Sequence, residues 1–149
     1  MIMDFQIRKA RKTDIPVICE LGNEVSEFET SEDIVLFWPQ TILENCLDKE
    51  DVLILVAEKD EKIIGFYVSN INQSLKKAEI ENQYVVPEYR HQGYGRALLN
   101  QTINELKAMG IENVCVMASD VVDFMLKNGF TKGNQYYWMD LALTDRFKK

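Results

Sequence analysis

Two arginines, a histidine and two glycines crowd into Arg90-His91-Gln92-Gly93-Tyr94-Gly95-Arg96. The segment before them, Glu79 to Val86, reads as a strand, and Ala97-Leu98-Leu99 continues a helix that opens straight out of the loop. Backbone N–H groups at a helix start have no partner inside the helix and carry the positive end of its dipole. Glycine at 93 and 95 removes side chains that would keep an anion from those donors. Arg90, His91 and Arg96 add side-chain donors around them. This combination is that of a phosphate site.

Two common phosphate loops do not fit it. The dinucleotide fingerprint G-x-G-x-x-G/A needs a small third residue, and Leu98 stands there. The nucleoside-triphosphate loop G-x-x-x-x-G-K-S/T is absent. What remains is R-x-x-G-x-G, preceded by Tyr84-Val85-Val86-Pro87-Glu88 and followed by Arg96-Ala97-Leu98-Leu99. It resembles the acyl-coenzyme-A loop of the GNAT-type N-acetyltransferase superfamily, whose usual pattern is Q/R-x-x-G-x-G/A. Lys127-Asn128-Gly129-Phe130 resembles, more weakly, the family's closing G-F.

The resemblance implies an α/β fold of mixed character: a central, mostly antiparallel sheet of six to seven strands with about four flanking helices, splayed between strands 4 and 5. It implies acetyl-coenzyme A as co-substrate, no metal, and direct transfer of the acetyl group to a primary amine. The pyrophosphate would lie on the N–H groups from Gln92 to Arg96, with Arg90, His91 and the backbone of Gly93, Tyr94 and Gly95 around it. The pantetheine arm would pair with open backbone at Tyr84 and Val85. Phe28, Trp38 and Tyr137 would line the acceptor side, although single aromatics in such positions are more often core.

Period two puts Glu79 and Glu81 on one face of their strand, and Glu79 matches a position where some family members carry a carboxylate base. Both are candidate catalytic groups. Two positions depart from the family. Met125 replaces the tyrosine that protonates the departing thiolate, and Ala118 replaces an asparagine. A non-catalytic acyl-coenzyme-A-binding module is therefore the rival reading, with another phosphate-ligand binder behind it.

The elements that must hold these groups can be read in order. Phe5 to Ala10 alternates as a first strand. Thr13 is expected as N-cap of a helix whose stripe is Val17, Ile18, Leu21 and Val25. Pro39 starts a second helix with Ile42, Leu43, Cys46 and Leu47 inward. Val52–Glu58 and Ile63–Val68 form a hairpin, and Lys77–Val86 follows as the next strand. The central helix runs from Gly93 to Met109, with Leu99, Thr102, Ile103, Leu106 and Met109 on one face, and Gly110 ends it. Ile111–Met117 is a short buried strand, a helix starts at Asp120, and a last hairpin carries Tyr136, Tyr137 and Trp138.

Composition sets outer bounds. A chain of 149 residues with 46% hydrophobic content can bury one core, so residues 1–149 are expected to be a single domain. A net charge of −7 argues against nucleic-acid binding and suits a cationic small-molecule or protein amine as partner. Cys19, Cys46 and Cys115 lack zinc or disulfide spacing and fit reduced thiols. With no membrane-length apolar run and no leader pattern, a cytoplasmic monomer or homodimer is expected.

Overall fold

The computed structural model describes residues 5–25, 37–116 and 122–133. The chain divides into two compact units, residues 1–117 and 118–149. The first holds a five-stranded sheet in the order β1-β2-β3-β4-β5. Its strands are β1 (Phe5–Lys9), β2 (Val52–Lys59), β3 (Lys62–Asn72), β4 (Lys77–Val85) and β5 (Asn113–Val116), with helices α1 (Ile15–Asn23), α2 (Gln40–Cys46) and α3 (Tyr94–Ala108). The described part of the second unit is α4 (Val122–Lys127) and its exit. Neighbours β1 to β4 pair antiparallel, and β5 joins β4 in parallel.

The mixed sheet and four helices match the expected architecture, but the described residues hold five strands, not six to seven. The further strands were expected in the hairpin around Tyr137, which lies outside the described residues. Pairing of β4 with β5 spans Lys77–Ile80 and Asn113–Val116, so Glu81–Val85 have no β5 partner among the described residues.

Each face of the sheet buries its own layer. On one, Ile15, Ile18 and Cys19 of α1 and Leu43 and Cys46 of α2 pack with Ile54, Val56, Phe66, Val68 and Phe37. α3 buries Leu98, Leu99, Thr102 and Leu106 and packs along β2, β3 and β4. Fully buried Leu, Ile and Phe side chains such as these contribute about 1.5–3 kcal/mol each. Gly65 in β3 lets α3 and the end of β4 close up, because a Cβ there would stand 2.7 Å from Tyr84 O and 3.1 Å from Leu98.

Several local expectations need correction. Ile18, Leu43 and Cys46 are buried and Leu21 and Leu47 pack against the core as expected, but Val17 is 39% exposed and Ile42 48% exposed, and Ile15 and Cys19 complete the inward face of α1. Thr13 caps nothing: Asp14 is the N-cap of α1, and its buried carboxylate binds Arg8 through both oxygens, at 2.6 and 3.0 Å, and the Arg11 N–H at 2.7 Å. Arg8 also reaches Glu58 at 2.6 Å. That acid thus serves both a guanidinium fork from β1 and the backbone that opens the 3-10 turn before α1. Strand β5 is shorter than expected, and Cys115 in it is half-buried rather than buried.

Candidate active site

The glycine loop and the helix start form where the sequence places them. β4 ends at Val85, Pro87–Tyr89 make one 3-10 turn, and α3 starts at Tyr94. Gly93 is the N-cap, at φ +93°, a left-handed geometry that glycine alone adopts at little cost. It supplies no side-chain cap, so the N–H groups of Tyr94, Gly95 and Arg96 keep no intrahelical acceptor; the ladder begins with Ala97 N–H on Gly93 O at 3.0 Å. A Cβ built at Gly93 meets nothing within 4 Å. The cradle is open, and its donors fit a phosphate.

The side chains around it divide into two groups. His91 and Arg96 are exposed, and His91 holds a left-handed φ of 60° despite its side chain. Arg90, Gln92 and Tyr94 instead brace the loop. Arg90 Nε donates to Val85 O at 2.7 Å, with its guanidinium 5.6 Å from the Tyr84 ring centroid. Gln92 Nε2 donates to Glu88 O at 2.9 Å. The buried Tyr94 ring packs on Phe5 and Tyr89, so any contact it makes with an anion comes from its backbone.

Val86 N–H donates to Ile64 O at 2.8 Å, which by strand alternation turns the N–H and C=O of Val85 away from β3. The carbonyl on that side is already taken by Arg90, which leaves the Val85 N–H for an extended ligand arm.

The other half of the site rests on a break in the β3–β4 ladder. Pairing runs Phe66↔Tyr84, Tyr67↔Gln83, Val68↔Asn82, then Ser69↔Ile80 and Asn70↔Glu79. Glu81 is the extra residue of a β-bulge, which bends the strand and re-aims its side chains. Directly opposed residues share a face. Phe66 and Val68 belong to the α1/α2 layer, so Tyr84, Asn82 and Glu79 lie on that side with Asn70. Asn70 Nδ2 donates to Glu81 Oε2 at 2.8 Å, bringing Glu81 to the same face.

Glu79 and Glu81 do share a face as expected, and the bulge adds Asn82 to it. In parallel register Cys115 stands beside Glu79, extending the row Asn70–Glu79–Cys115 across three strands. Trp38 Nε1 donates to the buried Asn82 Oδ1 at 2.8 Å, fixing the indole to β4. Of the three aromatics expected on the acceptor side, Trp38 thus lies on the face of β4 that carries the carboxylates. Phe28 and Tyr137 lie outside the described residues, as does Ala118. Met125 is 3% exposed.

Electrostatics bear on Glu81. Loss of surrounding water, then the like charge of Glu79, push the Glu81 carboxyl above its usual range, and the Asn70 bond only partly offsets them. Glu81 is exposed by surface area, yet its carboxyl stands over the sheet, where nearby protein displaces part of the solvent. Sequence reasoning missed Asn70 and Asn82, which stand among other polar residues of β3 and β4 and carry no signal of their own. Two shallow clefts of about 440 and 430 Å³ lie elsewhere, beside Arg11 and Asp48 and beside Val17 and Lys62. Among the described residues no His/Cys/Asp/Glu group could hold a metal, and no helix is long and apolar enough to cross a membrane.

A family model described as the acetyltransferase (GNAT) family matches residues 18–130. A spermidine N(1)-acetyltransferase of Thermoplasma acidophilum is 28% identical over 145 residues, 86% of this chain and 89% of the relative. Among solved structures, a PaiA N-acetyltransferase from Thermoplasma acidophilum in complex with coenzyme A superposes with a TM-score of 0.77 at 27% identity. That alignment covers 90% of this chain and 94% of that one. An aminoglycoside acetyltransferase from an uncultured soil metagenomic sample, in complex with sisomicin, has a TM-score of 0.69 at 21% identity and covers 91% and 96%. At that identity the likeness is one of fold.

Proposed function

The chain belongs to the acetyltransferase (GNAT) family, and from that premise we propose that it moves an acetyl group from acetyl-coenzyme A to a primary amine by direct transfer. The observation that carries this reading is the pairing of an uncapped helix start, Gly93 to Arg96, with two carboxylates displayed by the bulge in the strand that feeds it. The reading takes residues 1–149 as one acetyltransferase domain, supported by a family match that runs through both compact units.

The roles follow from the chemistry of each group. The N–H groups of Tyr94, Gly95 and Arg96, with the Arg96 and His91 side chains, hold the pyrophosphate. Arg90 acts on it indirectly, through the loop it braces. The Val85 N–H anchors the pantetheine arm, and Tyr84 shapes the wall under Arg90. Trp38 covers the acceptor side. An amine of pKa near 10.4 is almost wholly protonated at neutral pH, so its proton must be removed before attack. Glu79 and Glu81 are the groups for that step, and a carboxyl raised toward neutrality is the better base.

A small cationic amine is the acceptor class the site favours. The carboxylate pair supports it, and so does the name of the spermidine acetyltransferase relative. A direct route is supported by Cys115, which makes no side-chain hydrogen bond among the described residues. The chain's one histidine is in the anion loop. The experiment is titration with acetyl-coenzyme A followed by free-thiol release in the presence of an amine panel containing spermidine.

Met125 favours a second reading, an acyl-coenzyme-A-binding module without turnover, because a buried thioether cannot protonate a leaving thiolate. A thiolate with a pKa near 8.5 can collect its proton from water, so the loss of an acid at 125 is bearable. Met125→Leu is expected to keep turnover within a few-fold. A folded Met125→Leu protein with no turnover would show that this position does more than pack.

A further inference from the structure

Glu79 and Glu81 are rivals for one role, and the ladder distinguishes them. Asn70 stands opposite Glu79 in register, yet its amide reaches past to Glu81 Oε2 at 2.8 Å. That diagonal bond exists because Glu81 is the unpaired residue of the bulge. An ionised carboxylate only accepts, so the asparagine must present its nitrogen, and the bond favours the charged acid. Glu79 makes no side-chain hydrogen bond among the described residues.

Among the described residues, the groups on the face of Glu81 are Glu79 on its own strand, Asn70 on β3, Cys115 on β5 beside Glu79, and the uncharged Trp38, on Asn82. Burial and Glu79 raise the Glu81 carboxyl, and Asn70 restrains the rise. A base needs both effects. The rise makes it a stronger base, and the Asn70 bond favours the charged form that can accept a proton.

Resting on the acetyltransferase reading above, we propose that Asn70 is the positioning residue of the acceptor site: by holding Glu81 Oε2 across the bulge it selects Glu81, not Glu79, as the group that takes the amine's proton. Oε1 is the oxygen left to accept it. The ammonium N–H bond breaks toward Oε1, and the freed nitrogen pair forms the C–N bond to the acetyl carbonyl carbon. The C–S bond breaks, sulfur leaves as thiolate, and the second N–H proton passes to that thiolate through water. Glu81 then returns its proton to solvent.

The test is the pH profile of kcat/KM with acetyl-coenzyme A and spermidine for the full chain and for Asn70→Leu, Asn70→Gln, Glu79→Gln and Glu81→Gln, each checked for folding by circular dichroism. Losing a bond to the charged form raises the Glu81 carboxyl, so Asn70→Leu should move the acid limb up by about one pH unit. On the acid side of that limb its kcat/KM should fall up to about ten-fold, with KM for acetyl-coenzyme A unchanged. Asn70→Gln, which keeps the amide, should recover most of the shift. Glu79→Gln removes the like charge and should move the limb down. Glu81→Gln should abolish the limb and lower the rate by roughly 10²–10⁴-fold.

An active, folded Asn70→Leu protein with an unmoved limb overturns the proposal alone. A limb lost in Glu79→Gln and kept in Glu81→Gln overturns the choice of base. A parent that turns over no amine overturns the acetyltransferase reading and takes the proposal with it.

Discussion

Gly93 is the point where fold and ligand binding can be separated by one substitution. Its φ of +93° is unfavourable for a residue with a Cβ, at a cost of about 1–2 kcal/mol. The added atom itself meets nothing within 4 Å, so Gly93→Val strains the backbone without a clash. With an unfolding entropy of about 2.1 cal/mol/K per residue over 149 residues, that strain lowers Tm by about 3–6 °C. The bound state suffers differently, because the side chain fills space that is open in the cradle and a changed φ re-aims the N–H groups that follow. Losing one charge-assisted bond to phosphate costs about 1.5–3 kcal/mol, or roughly 10–150-fold in Kd. Gly93→Asn separates the two effects, since asparagine tolerates positive φ: it should lose affinity with a smaller fall in Tm. Calorimetry with coenzyme A and thermal melts measure both quantities. A folded Gly93→Val protein that binds coenzyme A within two-fold of the parent would refute the cradle.

Two further predictions concern the scaffold. Arg8→Met strands the buried Asp14 carboxylate and frees Glu58, and should destabilise the fold by about 3 kcal/mol, less than a fully buried pair because both ends retain some solvent. Burial opposes the charged Asp14, but Arg8 and the Arg11 N–H outweigh it, and Arg8 with Gln6 holds Glu58 low as well. Groups with depressed folded pKa values contribute stability above their unfolded values, near 4, and lose it as pH falls further. The gap between parent and Arg8→Met in denaturant midpoints should therefore shrink toward pH 3. Trp38→Phe leaves Asn82 Oδ1 buried without its donor and should cost about 1–3 kcal/mol, much of it returned in Trp38→Phe/Asn82→Leu. If Trp38 also covers the acceptor, the single variant should raise KM for the amine more than KM for acetyl-coenzyme A; equal melting curves for the single and double variants would contradict the coupling.

The legible parts of this protein are local in cause. Gly93 before a helix, with Pro87 ending a strand, writes its conformation into a few adjacent residues, and the structure follows it. The hairpin of β2 and β3 was legible as two apolar runs about a charged turn, although Asp60 and Glu61 adopt positive φ there without glycine. What escaped depends on partners far along the chain. Asp14 looks like an ordinary first-turn acid until Arg8 and Arg11 claim it. The bulge at Glu81 leaves no mark in the pattern, because Ala78, Ile80 and Asn82 alternate as buried positions whether or not the ladder slips. Asn70 and Asn82 are therefore invisible as site residues until the register is known. The bracing roles of Arg90 and Gln92 are hidden for the same reason: arginine in a glycine loop suggests an anion, while its closest acceptor here is Val85 O.

The measurement that tests the central claim most directly is release of free coenzyme-A thiol from acetyl-coenzyme A, followed continuously with and without spermidine and other primary amines, with products identified by mass spectrometry. The account predicts amine-dependent thiol release matched one for one by N-acetylated amine, steepening with pH until Glu81 is fully ionised. Saturable binding of acetyl-coenzyme A with no amine-dependent thiol release, across a panel of small amines and peptide amines, would contradict it.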